Sequence, residues 1–245
     1  MLKVHATEQE RVIAVAERID AAIAAGWRTP RWLAVGENAG GAVWVLQEYV
    51  DGARPAAIDR AVAEEMVELL TVQRGLGDGS GGWGEWAAGV VFEDWTGYRQ
   101  RVPTSFPRGD ELVGLVDTIA AACEGWRSPE ADYVHGNFNL SNTIHDGRSL
   151  WLVDAHKVGP GPVEYDVAEL VLLGLAEGVA TRDGIDALWG WALGSLDHRA
   201  LAVCAGSLAM STADAYEKLR PPADAVAAAP GIVEALTRFG ALVAG

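Results

Sequence analysis

Apolar residues recur at helical spacing over most of this chain, and runs with strand character are confined to its beginning. Val12, Ala16, Ile19 and Ile23 lie three or four positions apart, the interval that gathers side chains on one helix face. Ahead of them Thr7-Glu8-Gln9-Glu10 reads as a capping box, with Thr7 as N-cap and Glu10 at N3. Gly26 ends that helix. Residues 31–35 and 42–50 are rich in β-branched and aromatic side chains, and Glu37-Asn38-Ala39-Gly40-Gly41 between them is a turn-forming cluster, so the pair is predicted to form a hairpin. Leu2-Lys3-Val4 reads as a strand before the helix. Asp51-Gly52-Ala53-Arg54-Pro55 breaks the pattern, and a helix follows over 58–74 with Val62, Met66 and Leu69 on one side.

A glycine-rich stretch over 75–84 ends in Trp83-Gly84-Glu85-Trp86, after which helical periodicity runs through Tyr98 and again over 111–126. Helices are predicted over 164–178, 184–194, 197–218 and 225–243, with Pro221-Pro222 separating the last two. No internal repeat or long disordered tail is evident. The pattern predicts an α+β chain with a small unit over 1–50 (strand, helix, hairpin) and a mostly helical unit over 51–245.

Composition narrows the function classes. No apolar run reaches the roughly eighteen residues a membrane helix needs; the best, over 170–179, is interrupted by Glu177. The start has no hydrophobic leader, and two cysteines make neither a disulfide framework nor a zinc-ligand set, so a soluble protein of the reducing cytoplasm is expected. His5, His145, His156 and His198 show no metal-ligand spacing. A net charge of −15 argues against nucleic acid or anionic membrane as partner, since phosphate backbones require clustered Lys and Arg. It favours cationic small molecules, although a diffuse acidic surface also serves solubility.

The chemistry concentrates in Val134-His135-Gly136-Asn137-Phe138-Asn139-Leu140-Ser141-Asn142, then Trp151-Leu152-Val153-Asp154, then Tyr165-Asp166-Val167-Ala168. This set resembles the catalytic core of the aminoglycoside phosphotransferase and choline kinase-like family, where a His-Gly-Asp loop, an Asn five residues after that Asp and an Asp closing the next strand assemble around Mg-ATP. The resemblance implies a bilobal protein kinase-like fold with a curtailed N-lobe sheet and a mostly helical C-lobe. Asn142 and Asp154 become the Mg²⁺ ligands, oxygen donors of the kind a hard cation prefers. His135 and Asp166 become structural supports of the loop. Lys3 becomes the strand lysine on the phosphates of ATP or GTP, and Glu17, preferred over Glu10, its partner. Gln47-Glu48-Tyr49-Val50 becomes the hinge that meets the base, through Glu48 and Val50, with Leu46 and Trp44 as apolar wall.

Two departures stand beside these matches. Asn137 occupies the position of the family's catalytic Asp, and an amide can orient a hydroxyl but cannot accept its proton. Lys3 lies so near the start that the hairpin expected before it, with a Gly-rich loop over the phosphates, is not in this sequence. Gly77-Asp78-Gly79-Ser80-Gly81-Gly82 fits G-x-G-x-x-G but follows a helix, so it reads as a linker. Ten tryptophans are present against four Phe and five Tyr, and Trp83, Trp86 and Trp95 cluster where they would serve either core packing or a pocket for a flat or cationic ligand. The expected function is a phosphotransferase-like protein of small-molecule kinase ancestry that binds a small hydroxylated or aminated metabolite, with weak or absent ATP-dependent phosphorylation. The alternatives are an active O-phosphotransferase, a repurposed enzyme of specialised metabolism performing cyclisation or dehydration, and a pseudokinase whose N-lobe edge is completed by a protein partner or a second copy.

Overall fold

The computed structural model describes residues 1–5, 9–38, 42–77, 79, 82–128 and 130–244, and the side chains of all these except 2–5 and 9–11. Thr7 and Glu8 of the capping box with the Glu10 side chain, residues 39–41 of the turn, and residues 78, 80 and 81 of the glycine-rich loop lie outside the described residues.

A three-stranded antiparallel sheet forms first. β1 (Leu2–His5) and β2 (Trp32–Glu37) flank β3 (Val43–Gln47), with Lys3 opposite Val45 and Val35 opposite Val45 on the other side. Along β3, Val43 and Val45 are buried while Leu46 is 39% exposed, the two-residue alternation of a strand with one covered face. Helix α1 (Gln9–Ala24) covers that face. Its buried stripe is Val12, Val15, Ile19 and Ala22, one position off the predicted set at Ala16, which is half-buried. Val12 packs with Val43 and Val45, whereas Val15, Ile19 and Ala22 belong to the main core, so α1 ties the sheet to the rest of the chain.

The remainder is helical: α2 (Arg60–Gln73), α3 (Trp83–Glu93), α4 (Tyr98–Ser105), α5 (Gly109–Ala122), α6 (Glu164–Ala176), α7 (Arg182–Ser195), α8 (His198–Leu219) and α9 (Pro222–Ala241). The Asp59 carboxylate caps α2 by accepting the Val62 N–H at 2.9 Å. The predicted continuous helix through Tyr98 is interrupted at Asp94, which takes a left-handed conformation at φ 50° and caps α3. Helix α4 was not predicted; Pro103 inside it obscures the pattern.

Helix α6 is the centre of the molecule. Glu164 through Leu172 are all buried, so it is covered on every side rather than along one stripe, and it packs against α7, α8 and α9. Ala200, Ala202, Ala205, Gly206 and Ala209 on α8 are small and buried, which lets the helices approach closely. Between α5 and α6 run four short strands: β4 (Asp132–Val134) pairs with β7 (Gly159–Gly161), and β5 (Thr143–His145) pairs with β6 (Leu150–Leu152). These ribbons carry the loop described next. Among the described residues no helix is long and apolar enough to cross a membrane, and Cys123 and Cys204 are buried free thiols.

Because Leu170 is wholly buried on this central helix, Leu170→Ala is expected to cost about 2–5 kcal/mol. Leu193→Ala on the outer face of α7, where Leu193 is 39% exposed, should stay within about 0.5 kcal/mol. Urea denaturation of both variants checks the contrast.

Candidate functional site

The loop over 135–142 hangs from the first turns of α6. Asp166 is fully buried, and its carboxylate accepts the His135 N–H at 2.7 Å, the Gly136 N–H at 3.0 Å and the Gln73 side-chain amide at 2.9 Å. Burial outweighs these three donors and raises its pKa to about 6. One turn further along, the buried Glu169 accepts the Phe138 N–H at 2.7 Å through Oε2. Burial and the neighbouring Asp166 charge push its pKa up to about 8, against a smaller downward pull from Lys157. Two carboxylates on one helix therefore satisfy three inward-pointing N–H groups of the loop, those of His135, Gly136 and Phe138.

Gly136 is required by two facts together. Its φ is +71°, and a Cβ there would lie 2.2 Å from the Trp83 ring. His135 is fully buried against Trp27 and Phe138, with ring centroids 6.0 and 6.2 Å away. Its Nε2 lies 3.2 Å from the Val153 carbonyl oxygen, which can only accept, so the proton sits on Nε2. Burial lowers the His135 pKa to about 3.

At the tip, the Asn137 carbonyl accepts from the Asn139 N–H at 3.1 Å and the Asn142 side-chain amide at 2.8 Å. The orientation of the Asn137 side chain follows from a chain of donors. The Ser141 N–H can only donate, and it meets the Asn139 side chain at 3.0 Å, so that contact atom is Oδ1. Asn139 Nδ2 then points to Asn137 Oδ1 at 3.0 Å. The NH₂ of Asn137 is left without a protein partner among the described residues, on the side where Asn137 lines a cavity.

That cavity, of about 500 Å³, is walled by Trp83, Trp86 and Tyr165 and polar at Asn137, Lys157 and Glu169. Trp83 and Tyr165 pack at 4.9 Å between centroids, and Trp86 stands edge-on to both at 6.2 and 6.1 Å. Trp95 is not part of it: it is 56% exposed and lies against Gly89.

On the other side of the loop, the Val153 N–H donates to the Asn142 carbonyl at 2.8 Å, which sets Asn142 and Asp154 side by side at the ends of β5 and β6. Asn142 uses its NH₂ on Asn137, so its Oδ1 is turned elsewhere and accepts no hydrogen bond among the described residues. Asp154 sits at φ +67° with Oδ1 3.2 Å from His156 Nδ1. One amide oxygen and one carboxylate fit a Mg²⁺ that takes its other ligands from water and phosphate. No group of three or more His, Cys, Asp and Glu able to hold a metal occurs among the described residues.

Glu48 and Val50 follow β3 and line a second, more acidic cavity of about 390 Å³ with Tyr49, Asp51, Asp146 and Trp151. Glu48 is exposed and accepts the Arg31 N–H at 3.1 Å. Leu46 and Trp44 share the face of β3 opposite Val45, with the Trp44 ring over Gly36. Lys3 pairs within the sheet, but its side chain lies outside the described residues; Glu17 is exposed on α1. The structure thus brings His135, Asn137, Asn142, Asp154 and Asp166 together. Sequence reading missed Glu169, Asn139 and Lys157. Glu169 carried a signal, falling three residues after Asp166 on one helix face; Asn139 carried another, as an Asn two residues before Ser in a turn.

No protein-family model and no curated protein matches the sequence. Solved structures do match over nearly the whole chain. A choline/ethanolamine kinase family protein from Mesorhizobium loti superposes with a TM-score of 0.64 at 16% identity, covering 99% of this chain and 86% of that one. An aminoglycoside phosphotransferase from Alicyclobacillus acidocaldarius gives 0.64 at 14% identity, covering 98% and 84%. The aminoglycoside phosphotransferase APH(3'')-Id from Streptomyces rimosus, in complex with ADP and streptomycin, gives 0.56 at 19% identity, covering 86% of each chain. The fold is therefore the α+β kinase-like fold of these proteins, with a small N-terminal sheet and a helical C-terminal part.

Two measurements follow. Asp166→Ala strands buried donors at about 1–3 kcal/mol each, whereas Asn142→Ala removes one partly buried bond at about 0.5–1.5 kcal/mol; denaturant melts that reversed this order would contradict the division between support and metal side. His135 binds its proton far less readily folded (about 3) than at its ordinary 6.5, so its contribution is present above about 6.5 and lost as pH falls toward 3. Asp166, raised, works in the opposite direction. The stability of the wild type relative to His135→Asn should therefore shrink below pH 6.5 by up to about 1.4 kcal/mol per unit, and a pH-independent difference would contradict a buried neutral imidazole.

Proposed function

We propose that this chain is a phosphotransferase-type protein of small-molecule kinase ancestry, holding a small hydroxylated or aminated metabolite in the cavity under Trp83, Trp86 and Tyr165, with weak or absent ATP-dependent phosphorylation. The fold likeness to small-molecule kinases supports the ancestry. The observation that carries the weakness is the amide at position 137. Its side-chain oxygen accepts from Asn139, which leaves the NH₂ as the group Asn137 can offer to a ligand in the cavity it lines, a donor where a hydroxyl needs an acceptor.

In this reading Asn142 and Asp154 hold Mg²⁺, which neutralises charge on the phosphates of ATP or GTP. Lys3 and Glu17 serve the phosphates, and Glu48 and Val50 meet the base at the edge of the second cavity. His135 and Asp166 keep the loop in place without touching the reactants. The aromatic wall orients the ligand and excludes water from one side, and the acidic surface favours cationic ligands.

Turnover of Mg-ATP tests this directly. The wild type is expected to fall well below the roughly 1–100 s⁻¹ of working kinases. Asn137→Asp keeps one oxygen for Asn139 and offers the other to the cavity, so it should raise turnover by about 10². Wild-type turnover in the working range, or a loss on Asn137→Asp, would overturn the reading in favour of an active O-phosphotransferase that uses the amide.

A further inference from the structure

The cavity contains a carboxylate that the family resemblance does not assign. Glu169 is buried at 7% exposure and still lines the cavity beside Asn137, Lys157 and Tyr165. Its Oε2 is committed to the Phe138 N–H, one residue from Asn137. Its Oε1 has no protein partner among the described residues and is not sealed in the core, which leaves the cavity as the place it faces.

We propose that Glu169 is the proton acceptor of this cavity: a ligand hydroxyl whose oxygen attacks the terminal phosphorus of a bound nucleoside triphosphate passes its proton to Oε1 of Glu169. The inference rests on the phosphotransferase reading above and deepens it by naming the base. The new bond joins the hydroxyl oxygen to phosphorus, the bond from that phosphorus to the bridging oxygen breaks, the electron pair leaves with the nucleoside diphosphate, and the proton ends on Glu169.

The surroundings suit the role. Tyr165 and Asp166 share the helix with Glu169, Lys157 acts on it from the segment before β7, and Glu177, about two turns along at the end of the same helix, lines the cavity together with Tyr216 and Arg220 of the α8 end. The Asn137 NH₂ can hold the hydroxyl oxygen by donating to it while the proton leaves in the other direction. With its pKa at about 8, Glu169 is ionised in about one molecule in ten at pH 7, so a base of this kind works slowly at neutral pH and faster above it.

The test uses Mg-ATP hydrolysis by the full chain, water in the cavity serving as acceptor, between pH 6 and 10. Wild-type turnover should climb through about pH 8. Glu169→Gln keeps an oxygen for the Phe138 N–H but cannot accept a proton, so it should lose at least about tenfold at pH 9 and lose the pH step. A folded Glu169→Gln protein with wild-type turnover and pH profile would overturn the proposal and leave the phosphotransferase reading standing. Should that variant not fold, a wild-type profile without a rise through pH 8 overturns it by itself. If neither the wild type nor Asn137→Asp hydrolyses ATP, the proposal for Glu169 falls, while the reading of a kinase-derived fold with absent phosphorylation stands.

Discussion

The buried carboxylate of Asp166 is the interaction on which the site depends. A loop carrying an Asn, a Gly and a His cannot satisfy its own N–H groups while it is turned inward, and a buried unpaired donor costs about 1–3 kcal/mol. Asp166 takes two of these donors and the Gln73 amide, and Glu169 takes the next. The carboxylates can do this because α6 is packed on all sides by α7, α8 and α9. The cost is a pair of buried acids with raised pKa values, tolerated because both oxygens of Asp166 and one of Glu169 meet fixed donors. The main core, the loop and the cavity thus share one helix.

Around that anchor the loop separates two chemical faces. On one side Asn142 and Asp154 present oxygens at adjoining strand ends. On the other, aromatic rings enclose a cavity into which Asn137, Lys157 and Glu169 project. Asn137 stands between the faces, its backbone carbonyl bonded to Asn142 and its side chain held by Asn139. An amide in that place reads as a change of polarity and not as an empty position. The acceptor that a hydroxyl requires is then supplied by Glu169, one helix turn from the anchor itself.

Much of this was legible in the sequence, and the limits have physical causes. The spacing of His135, Asn142, Asp154 and Asp166 is short-range, so the motif specified the loop before its geometry was known. Helices α6 to α9 followed from periodicity, with ends shifted by a few residues because terminal turns are set by caps. Helix α4 was hidden by Pro103, and β7, a Gly-Pro-Gly segment, has none of the composition of a strand because its pairing with β4 is imposed from outside. Trp83 and Trp86 reach the cavity and Trp95 does not, a distinction that depends on how α3 ends at Asp94. Glu169 escaped notice because a carboxylate on a helix normally reads as a solvated face; only the burial of all sides of α6 turns it inward.

Side-chain amide hydrogen exchange measured by ¹⁵N–¹H NMR reads the direction of the Asn137 amide, with the two signals assigned by Asn137→Asp and Asn139→Asp variants. Asn139 donates its NH₂ to Asn137 Oδ1, so its amide protons should exchange slowly, while those of Asn137, turned to the cavity, should exchange rapidly. Protected Asn137 protons beside freely exchanging Asn139 protons would mean that the carbonyl oxygen faces the ligand, and would contradict the account.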